Sequence, residues 1–293
     1  MSRPTSDIFR EAIESPSLET YTRFVGAIRP IYGATPNGTP CHIGSCVLIQ
    51  GGQHRFLITA AHISDEYKVS RLYVGGECKT VELPPEGLMT SMPLMGRGDD
   101  HLDFSFFRLD ETACMELGRV GFIGPDELHP NDCATRNTYY VCVGYPSSKN
   151  RQLSVADTTL SPARWRYTSN SVADEKYQTL GMSKDSHVVL KFDESRMQTP
   201  EGERVNAPSP KGMSGGGIFR LREVFQVNST VSTSKTDGRL VGILIEKPFK
   251  RKGKVIVAVR ISLVLAAIVA RFPELDAVFP SSTRLEIRVD IPQ

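Results

Sequence analysis

The sequence predicts an all-β protein assembled from many short strands. From about residue 21 onward, short apolar stretches alternate with Gly, Pro, Asn and Asp, which is the pattern of strands joined by turns. The 24 glycines and 19 prolines are spread along the chain, as a fold with many turns requires. Strands of this length and spacing are typical of β-barrels or a β-sandwich. The 293 residues allow one large domain or two modest ones.

Composition narrows the class of protein. Apolar residues make up 40% of the chain and charged residues 23%, which favours a globular core over disorder. The net charge of +2 and the pI near 8.2 are too mild to indicate a nucleic-acid partner. The longest apolar run, 263–270, is too short to cross a membrane, and no secretory signal is visible. We therefore expect a cytoplasmic protein that binds neither nucleic acid nor membrane.

The six cysteines show no C-x-x-C spacing and so no recognisable metal or redox motif. In a cytoplasmic protein they are expected to be reduced and buried as small apolar residues, whereas their even number would allow disulfides in an exported one. They are Cys41, Cys46, Cys78, Cys114, Cys133 and Cys142.

The elements can be predicted in chain order. Residues 6–16 have apolar side chains at helical spacing and predict a short amphipathic helix before the main fold. Residues 46–50 and 54–59 flank Gly51 and Gly52 and predict a β-hairpin. Further strands are predicted at 71–74, 79–83, 104–109, 138–144, 187–192, 240–245 and 255–261.

The sequence also predicts a connection between two halves of the molecule and the structure of the C-terminal part. The Pro- and Asn-rich stretch 124–137 is expected to cross between two halves of the molecule. Residues 262–271 are apolar nearly all round and predict a buried closing helix. Residues 279–293 are expected to form a tail with a final edge strand.

Residues 208–217, PSPKGMSGGG, predict a tight turn that presents the hydroxyl of Ser214. A nucleophilic serine needs an approachable Oγ, a neighbouring base, and backbone N–H groups directed at the oxyanion that forms on attack. Gly212 lets the chain bend so that its own N–H and that of Ser214 converge. Gly215 and Gly216 keep side chains away from the scissile bond. A glycine-rich turn without chemistry is the alternative, so the partners of Ser214 decide between the two.

Two further segments supply candidate partners. Residues 57–62, LITAAH, end an apolar strand at His62, whose imidazole can move a proton near neutral pH. Asp103 lies at the mouth of the apolar strand 104–109, where a buried carboxylate needs a partner such as an imidazole N–H. Asp100 is a distant second candidate for that role and is interpreted as a turn residue. A purely structural histidine at a strand end is the alternative for His62.

Taken together, these segments resemble the motifs of trypsin-like serine peptidases of the chymotrypsin-fold superfamily. TAAH at 59–62 matches the histidine motif, DFSF at 103–106 is similar to the aspartate motif, and GMSGG at 212–216 matches the serine motif. The chain order is also the order of the family, and the likeness spans about 39–272. GMSK at 181–184 copies part of the serine motif without its glycines, so it is interpreted as a loop.

The resemblance implies two antiparallel six-stranded β-barrels of the chymotrypsin type, followed by a C-terminal helix. On this basis residues 1–38 are an N-terminal extension and 39–125 are the first barrel. Residues 135–272 are the second barrel with the closing helix, and 273–293 are a tail.

The resemblance also implies the role of each site residue. His62 would be the general base, Asp103 would orient it, and Ser214 would be the nucleophile. The N–H groups of Gly212 and Ser214 would form the oxyanion hole. No metal or cofactor is implied.

Two departures from the family pattern point to its bacterial and intracellular branch. Met213 precedes the serine, where secreted digestive members have an aspartate that pairs with a freshly cut N-terminus. No cysteine lies next to His62, so the usual disulfide around that histidine is absent. Activation by N-terminal cleavage is therefore not expected.

The substrate pocket can be placed by offset from the serine. Pro208 and Ser209 would lie at its floor, and Ile243, Ile245 and Val257 would complete it. None of these side chains carries the charge that selects Lys or Arg, so small or medium apolar side chains are expected.

The sequence thus predicts a serine endopeptidase that cuts protein or peptide substrates. The alternative, from a different class, is a catalytically silent module that binds peptides or a partner protein in the same cleft. The basic run 247–254, KPFKRKGK, is interpreted as a solvated loop, with steering of an acidic substrate or partner as the alternative. Because a free protease would endanger its own compartment, a regulatory protein partner or a narrow substrate range is also expected.

Overall fold

The computed structural model describes residues 5–35, 37, 39–90, 100–133, 138–150, 162–193, 197–198, 204–221, 238–245 and 255–279. Within these ranges the chain forms two large antiparallel sheets, a two-stranded ribbon, six α-helices and short 3-10 turns. The strands of the first sheet all precede residue 110, and those of the second sheet all follow residue 138.

The first sheet has seven strands in the order β5-β4-β1-β2-β3-β7-β6. β2 and β3 form the hairpin predicted around Gly51 and Gly52, and β7 pairs with β3 up to Ala60 opposite Phe104. The strands are β1 (Ile28–Ala34), β2 (Pro40–Gly51), β3 (His54–Ala60), β4 (Tyr73–Gly75), β5 (Thr80–Glu82), β6 (Leu88–Thr90) and β7 (Phe104–Leu109).

The second sheet has six strands in the order β10-β15-β14-β13-β8-β9. A separate ribbon is formed by β11 (Met197–Gln198) and β12 (Arg204–Val205). The six strands are β8 (Tyr139–Gly144), β9 (Trp165–Asn170), β10 (His187–Lys191), β13 (Gly217–Arg220), β14 (Arg239–Ile245) and β15 (Val255–Arg260).

Helices lie at the chain ends and between strands. They are α1 (Thr5–Phe24), α2 (Ala61–Ser64), α3 (Glu111–Leu117), α4 (Ser147–Asn150), α5 (Asp174–Leu180) and α6 (Ile261–Arg271). α6 is the closing helix that the sequence predicts, and its apolar side chains are mostly buried. Among the helices of the described ranges, none combines the length and the apolar character needed to cross a bilayer.

The N-terminal helix is longer than the predicted 6–16 and packs on the second sheet. Ser17 Oγ lies 2.6 Å from Thr168 Oγ1 on β9. The ring of Phe24 stacks on Phe219 of β13 at a centroid distance of 4.8 Å. Both contacts lie in the second half of α1, after Pro16. Packing on the sheet therefore stabilises the part of the helix that extends beyond the predicted end.

The predicted fold class is confirmed, since two curled antiparallel sheets are followed by a C-terminal helix. The first sheet has seven strands instead of six and begins at β1, before residue 39. Ile28, Ile31 and Tyr32 of β1 are buried, so this strand contributes to the core. The sequence pattern also does not predict β6, β9 or β13. Residues 247–254 and 280–293, with the predicted basic loop and most of the tail, lie outside the described residues.

One buried apolar cluster takes side chains from both sheets and from α6. A second, smaller cluster lies against the second sheet and includes Met213, Ile218 and Leu244. Since the shared core fixes the two sheets against each other, segments at their facing edges can hold side chains in register.

Candidate active site

His62 and Asp103 form a hydrogen-bonded pair at adjacent strand ends. β3 ends at Ala60 and α2 then carries His62, while Asp103 immediately precedes β7, the neighbour of β3. His62 Nδ1 lies 2.8 Å from Asp103 Oδ2, and the backbone N–H of His62 donates to Asp103 Oδ1 at 2.9 Å. The carboxylate is thus held at both oxygens. The Asp103 side chain is 6% exposed and the imidazole 31% exposed, so only the histidine is open to solvent.

This pairing fixes the tautomer of the imidazole. An ionised carboxylate can only accept hydrogen bonds, so the proton between the two groups is carried by His62 Nδ1. His62 Nε2 therefore keeps its lone pair and is available to accept a proton from another group.

The backbone of Asp103 is strained and is held by its neighbours. Its φ is 45°, in the left-handed region that non-glycine residues rarely adopt. The Asp100 carboxylate accepts the N–H of Leu102 at 3.0 Å and that of Asp103 at 2.9 Å. The Asp103 carbonyl accepts the N–H of Ala61 at 3.0 Å. Asp100 is thus a buried turn residue that helps to hold Asp103 in this conformation.

The second sheet also contacts the aspartate turn. His187, buried at the start of β10, has Nε2 2.7 Å from the carbonyl oxygen of His101. His187 Nδ1 lies 2.8 Å from the hydroxyl of Ser186. The turn that carries Asp103 is therefore anchored to both halves of the molecule.

Ser214 lies in a compact turn between β12 and β13. Gly212 and Gly215 have φ values of 87° and 85°, which only glycine adopts without strain. The N–H of Met213 donates to the Pro210 carbonyl at 2.9 Å, and the N–H of Gly216 donates to the Met213 carbonyl at 2.8 Å. These bonds fold residues 210–216 back on themselves.

Ser45 of β2 joins this turn to the first sheet. Its N–H donates to the Ser214 carbonyl at 2.8 Å, and its hydroxyl donates to the Gly212 carbonyl at 3.0 Å. The same hydroxyl accepts the N–H of Tyr145 at 2.9 Å. The Ser45 carbonyl accepts the hydroxyl of Thr59 at 2.8 Å. Thr59 lies three residues before His62, so the serine turn and the histidine are brought to the same end of the β2–β3 hairpin.

Ser45 is not among the site residues predicted from the sequence. Its hydroxyl is fully buried in a strand of apolar residues, and a buried hydroxyl needs partners. That mismatch is the signal by which the sequence could have indicated it. The groups that satisfy this hydroxyl belong to Tyr145 and Gly212, which lie 100 and 167 positions further along the chain. The sequence around Ser45 therefore does not reveal them.

Two backbone N–H groups of the serine turn have no acceptor among the described residues. In the part of the chain that the structure describes, neither Gly212 nor Ser214 donates its N–H to an acceptor. The N–H groups of Met213, Gly215 and Gly216 are all bonded within the fold. The N–H groups of the two residues named from the sequence are therefore available to an acceptor. Among the same residues, the Ser214 hydroxyl also makes no hydrogen bond, either to His62 or to another group.

A cavity of about 160 Å³ opens beside Ser214. Of the pocket residues named from the sequence, Ser209, Ile245 and Val257 line it. Pro208 and Ile243 are not among the lining residues, and Ile243 is fully buried in the core that joins the sheets. The described residues that line it are Ser209, Pro210, Lys211, Met213, Ser214, Leu244, Ile245, Val255, Ile256 and Val257.

His42 and Met213 pack behind the serine turn. The Cε1 atom of His42 lies 3.0 Å from the position that a Cβ at residue 212 would occupy. Burial lowers the pKa of His42 to about 4, so this ring is neutral near pH 7. Met213 is buried in the smaller core cluster, so the residue before Ser214 makes apolar contacts.

The partial copy of the serine motif has a different environment. Gly181 ends α5 in a left-handed conformation, and the Ser183 hydroxyl accepts the N–H of Asp185 at 3.1 Å. Ser183 therefore shapes a local turn. Within the described ranges, no cluster of three or more His, Cys, Asp or Glu side chains has the arrangement of a metal site.

One comparison with known proteins, the structural one, supports the fold. No protein-family model matches the chain, and no curated protein matches its sequence. Among solved structures, the chain is similar to the scabies mite inactivated protease paralogue S-I1, with a TM-score of 0.50 and 11% sequence identity. The match covers 85% of this chain and 96% of that chain. At this identity the likeness concerns the fold alone, and the two curled sheets with their C-terminal helix have the chymotrypsin fold.

Gly215→Ala tests how tightly the serine turn is held. A Cβ at this position would overlap the Ser45 carbonyl oxygen and the Thr59 hydroxyl, and φ is positive. We expect the free energy of unfolding to fall by about 4 kcal/mol or more, since a backbone carbonyl cannot move aside without separating the sheets. Urea unfolding of the wild type and the variant measures the difference.

Gly52→Ala is the matched control. Gly52 also has a positive φ, 57°, but a Cβ there would meet no described atom within 4 Å. The expected loss is only the backbone term of about 1–2 kcal/mol. Equal losses at positions 52 and 215 would show that the Ser45 contact does not constrain the turn.

Proposed function

We propose that this chain is a serine endopeptidase whose catalytic residues are Ser214, His62 and Asp103. The observation that carries the proposal is the shared anchorage of these groups. His62 is bonded to Asp103 through Nδ1, and the Ser214 turn is bonded through Ser45 to the same hairpin that ends at His62. The two unused N–H groups of the turn complete the set that acyl transfer requires.

The proposed reaction uses each group in turn. Ser214 Oγ attacks the carbonyl carbon of the scissile peptide while His62 Nε2 accepts its proton. Asp103 holds the imidazole and stabilises the imidazolium. The N–H groups of Gly212 and Ser214 donate to the oxyanion, a contribution of about 3–4 kcal/mol per donor in related chemistry. His62 then protonates the leaving amine, and water releases the acyl group from Ser214 by the same steps.

The serine and histidine must come into hydrogen-bond contact during this cycle. Such contacts are commonly long or poorly aligned before substrate binds and tighten in the complex. A substrate seated in the cavity beside Ser214 would exclude water from the gap between the two side chains and strengthen their interaction.

A second hypothesis is a catalytically silent module that binds peptides in the same cleft. The similar scabies mite protein is described as an inactivated protease paralogue, so this fold accommodates both roles. In the described residues, the missing hydrogen bond between Ser214 and His62 is the observation that favours it. The His62–Asp103 bond favours the enzyme, since a binding module has no need of a fixed imidazole tautomer.

We also propose that the protein belongs to the bacterial and intracellular branch and works in the cytoplasm. All six cysteines are free, and Cys46 and Cys142 are buried in the core. Free, buried thiols suit a reducing compartment. With Met213 buried before the serine, the turn needs no ion pair with a cut N-terminus.

Labelling with a fluorophosphonate probe tests the proposal. Such probes phosphonylate activated serines, so we expect the wild type to be labelled and Ser214→Ala to lose all labelling. Asp103→Asn should slow labelling by roughly 10³–10⁴-fold, since the imidazole then loses its fixed tautomer. Labelling rates are measured by gel fluorescence and intact-protein mass.

Ser183→Ala is the matched control, because Ser183 follows the same Gly-Met pair but lies in a structural turn. It should be labelled as fast as the wild type. Absence of labelling in the wild type, with folding confirmed by circular dichroism, would support the silent module instead.

The cavity predicts the side chain accepted before the cut bond. Its volume, about 160 Å³, is close to that of an engineered apolar cavity of about 150 Å³ that binds benzene. Its walls are largely aliphatic, and Lys211 adds a positive charge. In a peptide library we expect cleavage after Val, Leu or Met to exceed cleavage after Lys or Arg at least tenfold. A profile dominated by Lys or Arg would contradict this assignment of the pocket.

A further inference from the structure

A second cavity, of about 430 Å³, lies against the first sheet and shares no lining residue with the cavity at Ser214. It is bordered by β1, by the turn between β4 and β5, and by segments that follow α3 and precede β9. Its polar side chains include Arg29, Tyr32, Glu77, Lys79, Arg119 and Arg164. Clefts and cavities of roughly 300–1,000 Å³ are typical of small-molecule sites.

Positive charge dominates this cavity, since its described lining residues bring four cationic side chains and one carboxylate, that of Glu77. The Arg29 guanidinium donates to the carbonyls of Gly75 and Gly76, and Arg164 Nε donates to the hydroxyl of Tyr145. Among the described residues, these two arginines form no ion pair with a carboxylate. Clustered, uncompensated cations repel one another and attract an anion.

Lys79 and Arg119 bring further charge to the rim. Lys79 forms an exposed ion pair with Glu116 at 3.1 Å, which solvent screens. Glu77 accepts the backbone N–H of Arg119 at 2.8 Å. In the described part of the chain the Arg119 guanidinium has no hydrogen-bond partner, so its fork of donors is available to a ligand.

Tyr32 provides an independent indication of a ligand. It is 1% exposed, and its hydroxyl has no hydrogen-bond partner among the described residues. Its Cε2 atom, next to the carbon that bears the hydroxyl, lies 3.5 Å from the Cβ position of Gly75, which also lines the cavity. Burial raises the pKa of Tyr32, so the hydroxyl keeps its proton and can donate it in a hydrogen bond.

An unpartnered buried hydroxyl costs free energy and clustered cations repel one another, and one anionic ligand would relieve both. We propose that this cavity is a binding site for a small phosphate-bearing ligand. The phosphate accepts hydrogen bonds from Arg119 and Tyr32, and Arg29, Lys79 and Arg164 supply the surrounding positive field. A phosphate group fits better than a single carboxylate, since it has three free oxygens and up to two charges for this number of donors.

Isothermal titration calorimetry of the full chain with pyrophosphate tests the site, with inorganic phosphate and citrate as comparison ligands. The wild type should bind one pyrophosphate saturably and bind it at least tenfold more tightly than citrate, whose charge is similar but whose groups are carboxylates. Inorganic phosphate should bind at the same site more weakly. If citrate binds as tightly as pyrophosphate, the phosphate assignment is wrong.

Three variants locate the binding. Arg119→Ala and Tyr32→Phe should each weaken pyrophosphate binding by about tenfold or more, as expected for losing one hydrogen bond to a charged group. Tyr32→Phe removes a hydroxyl that has no partner, so the urea stability of the free protein should not fall. Arg71→Ala is the matched control, because this exposed arginine pairs with Glu82 on the same sheet and does not line the cavity.

Arg71→Ala should bind pyrophosphate like the wild type. Equal weakening by Arg71→Ala and Arg119→Ala would show diffuse charge attraction and overturn the site. Absence of saturable binding in the wild type, or unchanged binding in Tyr32→Phe, would overturn it as well. None of these readouts depends on the reactivity of Ser214, so the site and the proposed peptidase activity stand or fall separately.

Discussion

The candidate active site depends on a buried residue, Ser45, whose hydrogen bonds tie the serine turn of the second half to the first sheet. Its backbone and hydroxyl bind the carbonyls of Ser214 and Gly212 in the second half of the molecule. Its own carbonyl accepts the hydroxyl of Thr59, on the strand that leads to His62. Each of these groups is buried, where an unsatisfied donor or acceptor costs about 1–3 kcal/mol. The backbone of residue 215 lies so close to the Ser45 carbonyl that a side chain there would overlap it, so residue 215 must be glycine. Packing and hydrogen bonding therefore fix the serine turn together.

The backbone of Asp103, which belongs to the first half of the molecule, is strained. Asp103 has a left-handed backbone that costs about 1–3 kcal/mol, and such strain persists only where the surroundings determine the conformation. Here the Asp100 carboxylate, the N–H of Ala61 and the link from His187 to the same turn supply that support. The result is a carboxylate whose two oxygens both face His62. The free energy of the surrounding fold thus maintains the orientation of one imidazole.

Much of this arrangement could be predicted from the sequence, because the site residues lie in short segments with local signals. Glycines around Ser214 indicate the turn, and the strand ends at His62 and Asp103 are marked by a change from apolar to polar residues. The role of Ser45 could not be predicted in this way, since its partners are brought to it only by the packing of the two sheets. The same reason applies to β1, whose Pro30 and Gly33 obscure a strand that becomes buried only against β2 and β4. Ile243 and Ile245 lie on the same face of β14 and both belong to the shared core, but only Ile245, at the end of the strand, reaches the cavity.

The central claim is that the turn held by Ser45 presents Ser214 to His62 and to two backbone donors at once. A crystal structure of the protein after reaction with a fluorophosphonate tests this most directly. We expect the phosphorus bonded to Ser214 Oγ, with one phosphonyl oxygen about 2.7–3.1 Å from the nitrogens of Gly212 and Ser214. His62 should remain bonded to Asp103, with Nε2 directed at the adduct. An unmodified Ser214 with the imidazole turned away from the turn, or an adduct on a different serine, would contradict the claim.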